Sequence, residues 1–218
     1  MSFVRPVSDL YKEEQDNRFH EHIDDVVNKS SENTDDLYVV ILDTSELCSA
    51  KSLYGLVPAK NIVIAEHNPE IYYNMLNNND LGFTIIFGNI EDVILNIPGK
   101  ICGILADYQC TSLVSFQQLL KNVRDKLDAY AVLSTTFSGR TKFSNKWRCC
   151  DGSYNLYIKN TPCGRTHKKY TSYIYKHITY RLPNKKIKKI NTSELYNTNG
   201  LYKRLGSGSM IYNIYIIS

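Results

Sequence analysis

No stretch of the chain approaches the roughly 18 consecutive apolar residues that cross a bilayer, so its 218 residues are not expected to include a membrane span. The opening Met1-Ser-Phe-Val-Arg-Pro6 has no apolar signal-peptide core. An intracellular protein, cytoplasmic or nuclear, is the expectation. Cysteine is too sparse for a secreted disulfide framework: of six, Cys48, Cys102 and Cys110 lie in or beside apolar runs, where a reduced thiol behaves as a small hydrophobe. Cys149, Cys150, Cys163 and His167 include adjacent thiols, a poor ligand geometry, and no Cys-x-x-Cys pair accompanies them. No metal is expected. Glycine is scarce, at 11 residues, and none forms the Gly-x-Gly-x-x-Gly of a dinucleotide site.

Acid is nearly missing from the last third. Arg140–Ser218 carries 16 Lys and Arg against 2 Asp and Glu, whereas Met1–Gly139 carries 10 against 20. Such a basic segment is either the electrostatic footprint of nucleic-acid contact or a lysine-rich solvated surface. The second reading accompanies the bias toward Tyr (17 residues), Ile, Asn and Lys that an A- and T-rich coding sequence produces. Arg140, Lys142, Lys168, Lys169, Lys185, Lys186, Lys188 and Lys189 are the candidate phosphate contacts. The Lys185–Lys189 strip fits a nuclear-import signal or a phosphate-binding strip, although such a strip is more often a solvated hairpin edge.

A hydrophobic fraction of 43% supports one ordinary core. Residues 1–36 are polar and acidic, with a helix expected from Ser8 to Asn28 and a linker-like Lys29–Asp36. Apolar runs then recur at Leu37–Asp43, Asn61–Glu66, Gly82–Phe87, Ile101–Asp107 and Ala129–Phe137, continuous as in strands buried on both faces of a parallel sheet. Helical spacers are expected at Glu46–Leu56, Pro69–Asn77 (Asn68 as cap), Asn89–Leu95 and Thr111–Leu127. Further on, Gly164–Leu182 reads as a helix, Ile187–Ile190 as a short strand and Met210–Ile217 as a terminal strand. The fold class is α/β, doubly wound, with helices on both faces. The domain expected is 37–218, with 140–209 a basic extension before the last strand.

Three of the runs end in an acid: Asp43, Glu66 and Asp107. Ligands of open α/β sheets bind beyond the carboxyl ends of the strands, and a carboxylate there offers two acceptor oxygens to a ribose diol. The plain alternative is that acids simply end strands.

Leu42-Asp-Thr-Ser45, Ile64-Ala-Glu-His-Asn-Pro-Glu70, Gly88-Asn-Ile-Glu91, Leu105-Ala-Asp-Tyr108 and the closing Met210–Ile217 strand, in that order, resemble the motifs of class I S-adenosylmethionine-dependent methyltransferases. Asp107–Thr111 and Thr136–Arg140 also look like stretches of methyltransferase-like proteins in large DNA viruses and some protists. The resemblance implies a mostly parallel seven-stranded sheet with an antiparallel last strand, and S-adenosylmethionine as cofactor. It implies cofactor contacts from Asp43, Thr44, Ser45, Glu66, His67, Asn68, Gly88, Asn89 and Asp107, with Asp107 and Tyr108 at the reaction centre. The turn Asp43–Ala50 departs from the family pattern, having no glycine, and Asp107-Tyr108 lacks the prolines of typical amino-methylating enzymes. The function expected is methyl transfer to DNA or RNA. The alternative is a non-catalytic module with a degenerate cofactor pocket, which binds nucleic acid or serves as a partner subunit. A protein partner or a second copy of the chain stays open.

Overall fold

The computed structural model describes residues 7–108, 113–138, 147–148, 155–156, 174–190 and 210–218. Its centre is a seven-stranded sheet in the order β3-β2-β1-β4-β5-β9-β8. The strands are β1 (Leu37–Ile41), β2 (Ile62–Glu66), β3 (Thr84–Phe87), β4 (Lys100–Tyr108), β5 (Leu127–Ser138), β8 (Ile187–Ile190) and β9 (Met210–Ile217). A separate antiparallel pair joins β6 (Trp147–Arg148) to β7 (Asn155–Leu156). The first five strands of the sheet are parallel. Strand β9 runs antiparallel to β5, and β8 antiparallel to β9. The doubly wound sheet expected from the apolar runs is therefore present, with its last strand reversed.

Side chains alternate along each strand and sort into two cores. Leu37, Val39, Ile41, Ile62, Ile64, Leu105, Val132 and Ile214 face one side. There they meet α1 (Val7–Lys29), α2 (Cys48–Ser52) and α3 (Pro69–Asn77). Val40, Val63, Ile104, Ala106, Leu133 and Tyr215 face the other side, against α4 (Ile90–Val93), α5 (Leu113–Val123) and a helical segment at 174–181. Helices cover both faces, as right-handed crossovers require.

Helix α1 is seated by Phe19, Ile23 and Val26, each no more than 1% exposed. It approaches β4 closely at Gly103, where a Cβ would collide with Ile23 and come within 3.2 Å of Val39. Among the described residues no helix is long and apolar enough to cross a membrane.

Several boundaries differ from the sequence pattern for local reasons. The helix expected over Glu46–Leu56 shortens to five residues, because the chain first makes a turn with Leu47 left-handed (φ 57, ψ 36). Beyond α2, Gly55 at φ 95 and a bridge between Tyr54 and Val57 replace helix. Helix α5 ends at Val123; Leu127, at helical spacing from it, instead opens β5 and pairs with Ile101. Of the helix expected over Gly164–Leu182, the part before 174 lies outside the described residues.

Candidate active site at the carboxyl edge of the sheet

Strands β1, β2 and β3 follow one another outward in one direction, and β4 and β5 in the other. The order of the sheet reverses between β1 and β4. In open α/β sheets the chains connecting such strands diverge at the switch point, and ligands bind in the crevice this leaves beyond the carboxyl ends of the strands. Asp43 follows β1, Glu66 ends β2, and Asp107 stands one residue before the end of β4. All three fall on the α1 face, continuing the alternation of Ile41, Ile64 and Leu105. Among the described residues no three His, Cys, Asp or Glu side chains gather closely enough to share a metal ion.

The three acids are held differently. Asp43 Oδ1 accepts the backbone N–H of Thr44 at 2.8 Å and of Ser49 at 3.3 Å, and Oδ2 accepts that of Ala50 at 2.8 Å. Ser49 and Ala50 are the second and third residues of α2, whose N-cap residue, Leu47, makes no side-chain cap. Asp43 thus supplies the missing cap from four residues upstream and closes the turn 43–50 around its own carboxylate. Leu47 takes the left-handed conformation that glycine takes without a steric cost, and its side chain is fully buried.

Glu66 is 9% exposed; its Oε1 accepts the N–H of Asn68 at 2.6 Å and lies 3.6 Å from His67 Nδ1. A carboxylate has about four lone-pair sites, so acceptor capacity remains for a ligand. Asn68 caps α3, its Oδ1 accepting from Glu70 at 2.9 Å and Ile71 at 3.4 Å, while Pro69 fills the first turn. The Glu66–Asn68 turn therefore links the strand end directly to the helix start. Gly88, just past β3, donates its N–H to the Glu66 carbonyl at 2.9 Å, and Asn89 precedes α4. Thr44 and Asn89 are exposed and Ser45 half-buried; the Ser45 carbonyl accepts from Asn78 Nδ2 at 2.9 Å.

Asp107 pairs in register with Thr136 of β5, on the same face. Tyr108 turns to the opposite face, 7% exposed, its ring edge-on to Phe116 of α5 at 6.4 Å. The structure brings Asp43, Glu66 and Asp107 to one edge and one face; it does not bring the Tyr108 ring there.

Two residues at this edge carry no motif in the sequence. Gln15 of α1, 7% exposed, donates through Nε2 to Thr136 Oγ1 at 2.8 Å. Asp16, 5% exposed, accepts from Ser49 Oγ at 2.9 Å. The sequence reading did not single out either residue; Gln15 lies four residues before Phe19, on the face that Phe19, Ile23 and Val26 bury, and that spacing is the one signal that could have marked it.

The basic candidates lie elsewhere or outside the described residues. Arg140, Lys142, Lys168 and Lys169 belong to the latter group, as do Cys149, Cys150, Cys163 and His167. Lys185 donates to the Asp128 carbonyl at 3.0 Å, and the Lys186 backbone pairs with Ser218. Lys188 is exposed; burial pushes the half-buried Lys189 below its usual pKa. Lys188 aligns with Ile216, which aligns with Val132. At roughly 3.3 Å per residue this is about 13 Å below the Thr136 level along the strands. Strand β8 is also the outermost of the sheet, two strands beyond β5. The strip occupies the sheet edge, away from the crevice.

No protein-family model matches the sequence, and no curated protein matches it. Solved structures do match the fold. A protein of Clostridium thermocellum provisionally assigned as an rRNA methylase superposes with a TM-score of 0.51 at 11% identity, over 92% of this chain and 95% of that one. The plantazolicin methyltransferase BamL, solved with a triazolic desmethylPZN analogue and SAH, gives a TM-score of 0.56 at 10% identity, over 97% of this chain and 89% of that one. The chain shares with both the seven-stranded, mostly parallel methyltransferase-like fold.

Proposed function

We propose that the chain is an S-adenosylmethionine-dependent methyltransferase acting on nucleic acid. The observation that carries this reading is the meeting of Asp43, Glu66 and Asp107 on one face, at the tips of the adjacent strands β2, β1 and β4 beside the switch point. An edge lined with carboxylates suits a ligand with a cationic centre and a vicinal diol, and S-adenosylmethionine has both. The fold shared with BamL, which was solved with SAH, supports the same choice.

The donor set fits that cofactor. Glu66 retains acceptor capacity for the ribose hydroxyls, and its link to Asn68 holds the carboxylate still. The exposed Thr44 and half-buried Ser45 border the methionine end, the Ser45 hydroxyl already donating to Glu46 Oε1 at 2.7 Å. Gly88 and Asn89 border the adenine side. When bound, the sulfonium supplies an electrophilic methyl group. Asp107 orients the acceptor and takes its hydrogen bond or proton, while alignment of the two partners contributes most of the rate. Tyr108 braces the end of β4 from the opposite face. His67, with its side chain 76% exposed, is assigned to the rim.

The acceptor proposed is DNA or RNA, because the segment from Arg140 onward is so strongly basic. Lys186, just before β8, and Lys188 on β8 are exposed basic residues at the sheet edge that would add to that surface. A protein partner or second copy of the chain would attach away from the crevice. The protein is assigned to an intracellular compartment, cytoplasm or nucleus.

One observation favours a second reading, a non-catalytic module that binds nucleic acid or serves as a partner subunit. Asp43 spends both carboxylate oxygens on its own backbone, and Leu47 stands where glycine would let a cofactor approach. Calorimetric titration with S-adenosylmethionine separates the two. Micromolar binding that is lost in Glu66→Ala supports the enzyme; no binding at millimolar cofactor leaves the module.

A further inference from the structure

Consecutive residues of α1 reach the two banks of the crevice. Gln15 binds Thr136, the register partner of Asp107. Asp16 binds the hydroxyl of Ser49, whose backbone N–H is held by Asp43. The links span 121 and 33 residues of sequence, and both lie within one turn of helix. A third contact, from His20 Nδ1 to the Ser52 carbonyl, fastens the far end of α2 to the same helix. Helix α1 therefore touches the immediate neighbours of two of the three carboxylates proposed for the site.

We propose that Gln15 and Asp16 are positioning residues that hold the Asp43 turn and the Thr136–Asp107 strand pair in ligand-ready geometry, so that seating of α1 and occupancy of the crevice stabilise each other. Gln15 donates to Thr136 Oγ1 and so fixes the side chain of the residue in register with Asp107. Asp16 draws Ser49 and with it the first turn of α2, which sets where the Asp43 carboxylate can cap. Because linkage is reciprocal, anything that loosens α1 must weaken the ligand, and a bound ligand must protect α1. The ligand half of this statement rests on the cofactor reading above; the turn-holding half does not.

The test is backbone hydrogen exchange on the full chain without ligand, followed by calorimetry with S-adenosylhomocysteine. In Asp16→Ala, the amides of Ser49 and Ala50 should exchange about tenfold faster, the size expected from one lost buried hydrogen bond. Asp16→Asn keeps an acceptor for Ser49 and should restore most of the protection. Asp25→Ala, on the exposed side of α1, should change neither amide. S-adenosylhomocysteine should bind about tenfold more weakly to Asp16→Ala and to Gln15→Leu, and should slow exchange of α1 amides in the unaltered protein. Unchanged Ser49 and Ala50 exchange in a folded Asp16→Ala variant overturns the proposal. If the unaltered protein fails to bind the probe, the cofactor reading falls alone, since the exchange result stands without it.

Discussion

The Asp43 carboxylate caps a helix that starts five residues later, with Oδ2 2.8 Å from the backbone nitrogen of Ala50. Such a cap is worth about 0.5–2 kcal/mol. Asp43→Asn keeps one acceptor oxygen and should lose about half of that; Asp43→Ala should lose all of it. Urea unfolding measures both, and equal losses in the two variants would show that a single acceptor oxygen does not sustain the cap.

Leu47 sets two effects against each other. Leu47→Gly relieves a left-handed conformation that costs a branched side chain about 1–2 kcal/mol. It also removes a fully buried leucine, a change that costs about 2–5 kcal/mol in the related truncation to alanine. Burial wins, and the variant should be less stable by about 1–3 kcal/mol. A more stable Leu47→Gly protein would mean that the turn, and not the side chain, governs this corner.

Adjacent threonines of β5 should respond with opposite signs. Thr135 is fully buried, and its Oγ1 has no hydrogen-bond partner among the described residues. Thr135→Val removes that orphan at constant shape and should raise stability by about 1 kcal/mol, near 2–4 °C in Tm. Thr136→Val abandons the bond from Gln15 and should lower stability by about 1–2 kcal/mol. Two calorimetric scans decide it, and a shift of the same sign in both refutes the contrast.

Cysteine chemistry gives a pH test. Burial pushes the Cys102 thiol up to about 12 from 9.0. Unfolding lowers this pKa, so the unfolded chain releases a proton that the folded chain keeps. Stability should therefore be unaffected by this thiol below pH 9.0 and should fall as pH rises from 9.0 toward about 12, by up to about 1.4 kcal/mol per pH unit. Burial raises Tyr215 as well, which adds to the alkaline loss. Cys102→Ala should flatten part of the slope. At neutral pH, iodoacetamide should modify the exposed Cys48 well before Cys102, with peptide mass spectrometry as the readout.

Nucleic-acid affinity should fall steeply with salt if the basic segment makes phosphate contacts. Lys188→Glu, at an exposed position on β8, should reduce the slope of log affinity against log salt by about one to two. Filter binding across a salt series measures it, and a flat response excludes phosphate contact.

The sheet and its acidic tips were legible because both rest on short-range patterning. Continuous apolar runs mark strands covered on two faces, and Asn68-Pro69 carries its own capping chemistry. The details of the site were not legible, because they depend on tertiary contacts. A carboxylate that caps from four residues upstream, as Asp43 does, leaves no local signature, so the helix over Glu46–Leu56 was overestimated. Leu127 fits a helical stripe and a strand equally well until Ile101 is paired with it. Gln15 and Asp16 carry no local motif, because their partners lie 121 and 33 residues along the chain.

The long reach of Gln15 also bears on how the protein is made. Residue 136 leaves the ribosome 121 residues after residue 15, a delay of about 6–24 s at about 5–20 residues per second. Throughout that interval the apolar stripe of Phe19, Ile23 and Val26 has no finished sheet to rest on. The helix is thus synthesised ahead of every strand it packs on, and its buried face stays uncovered until those strands have been made.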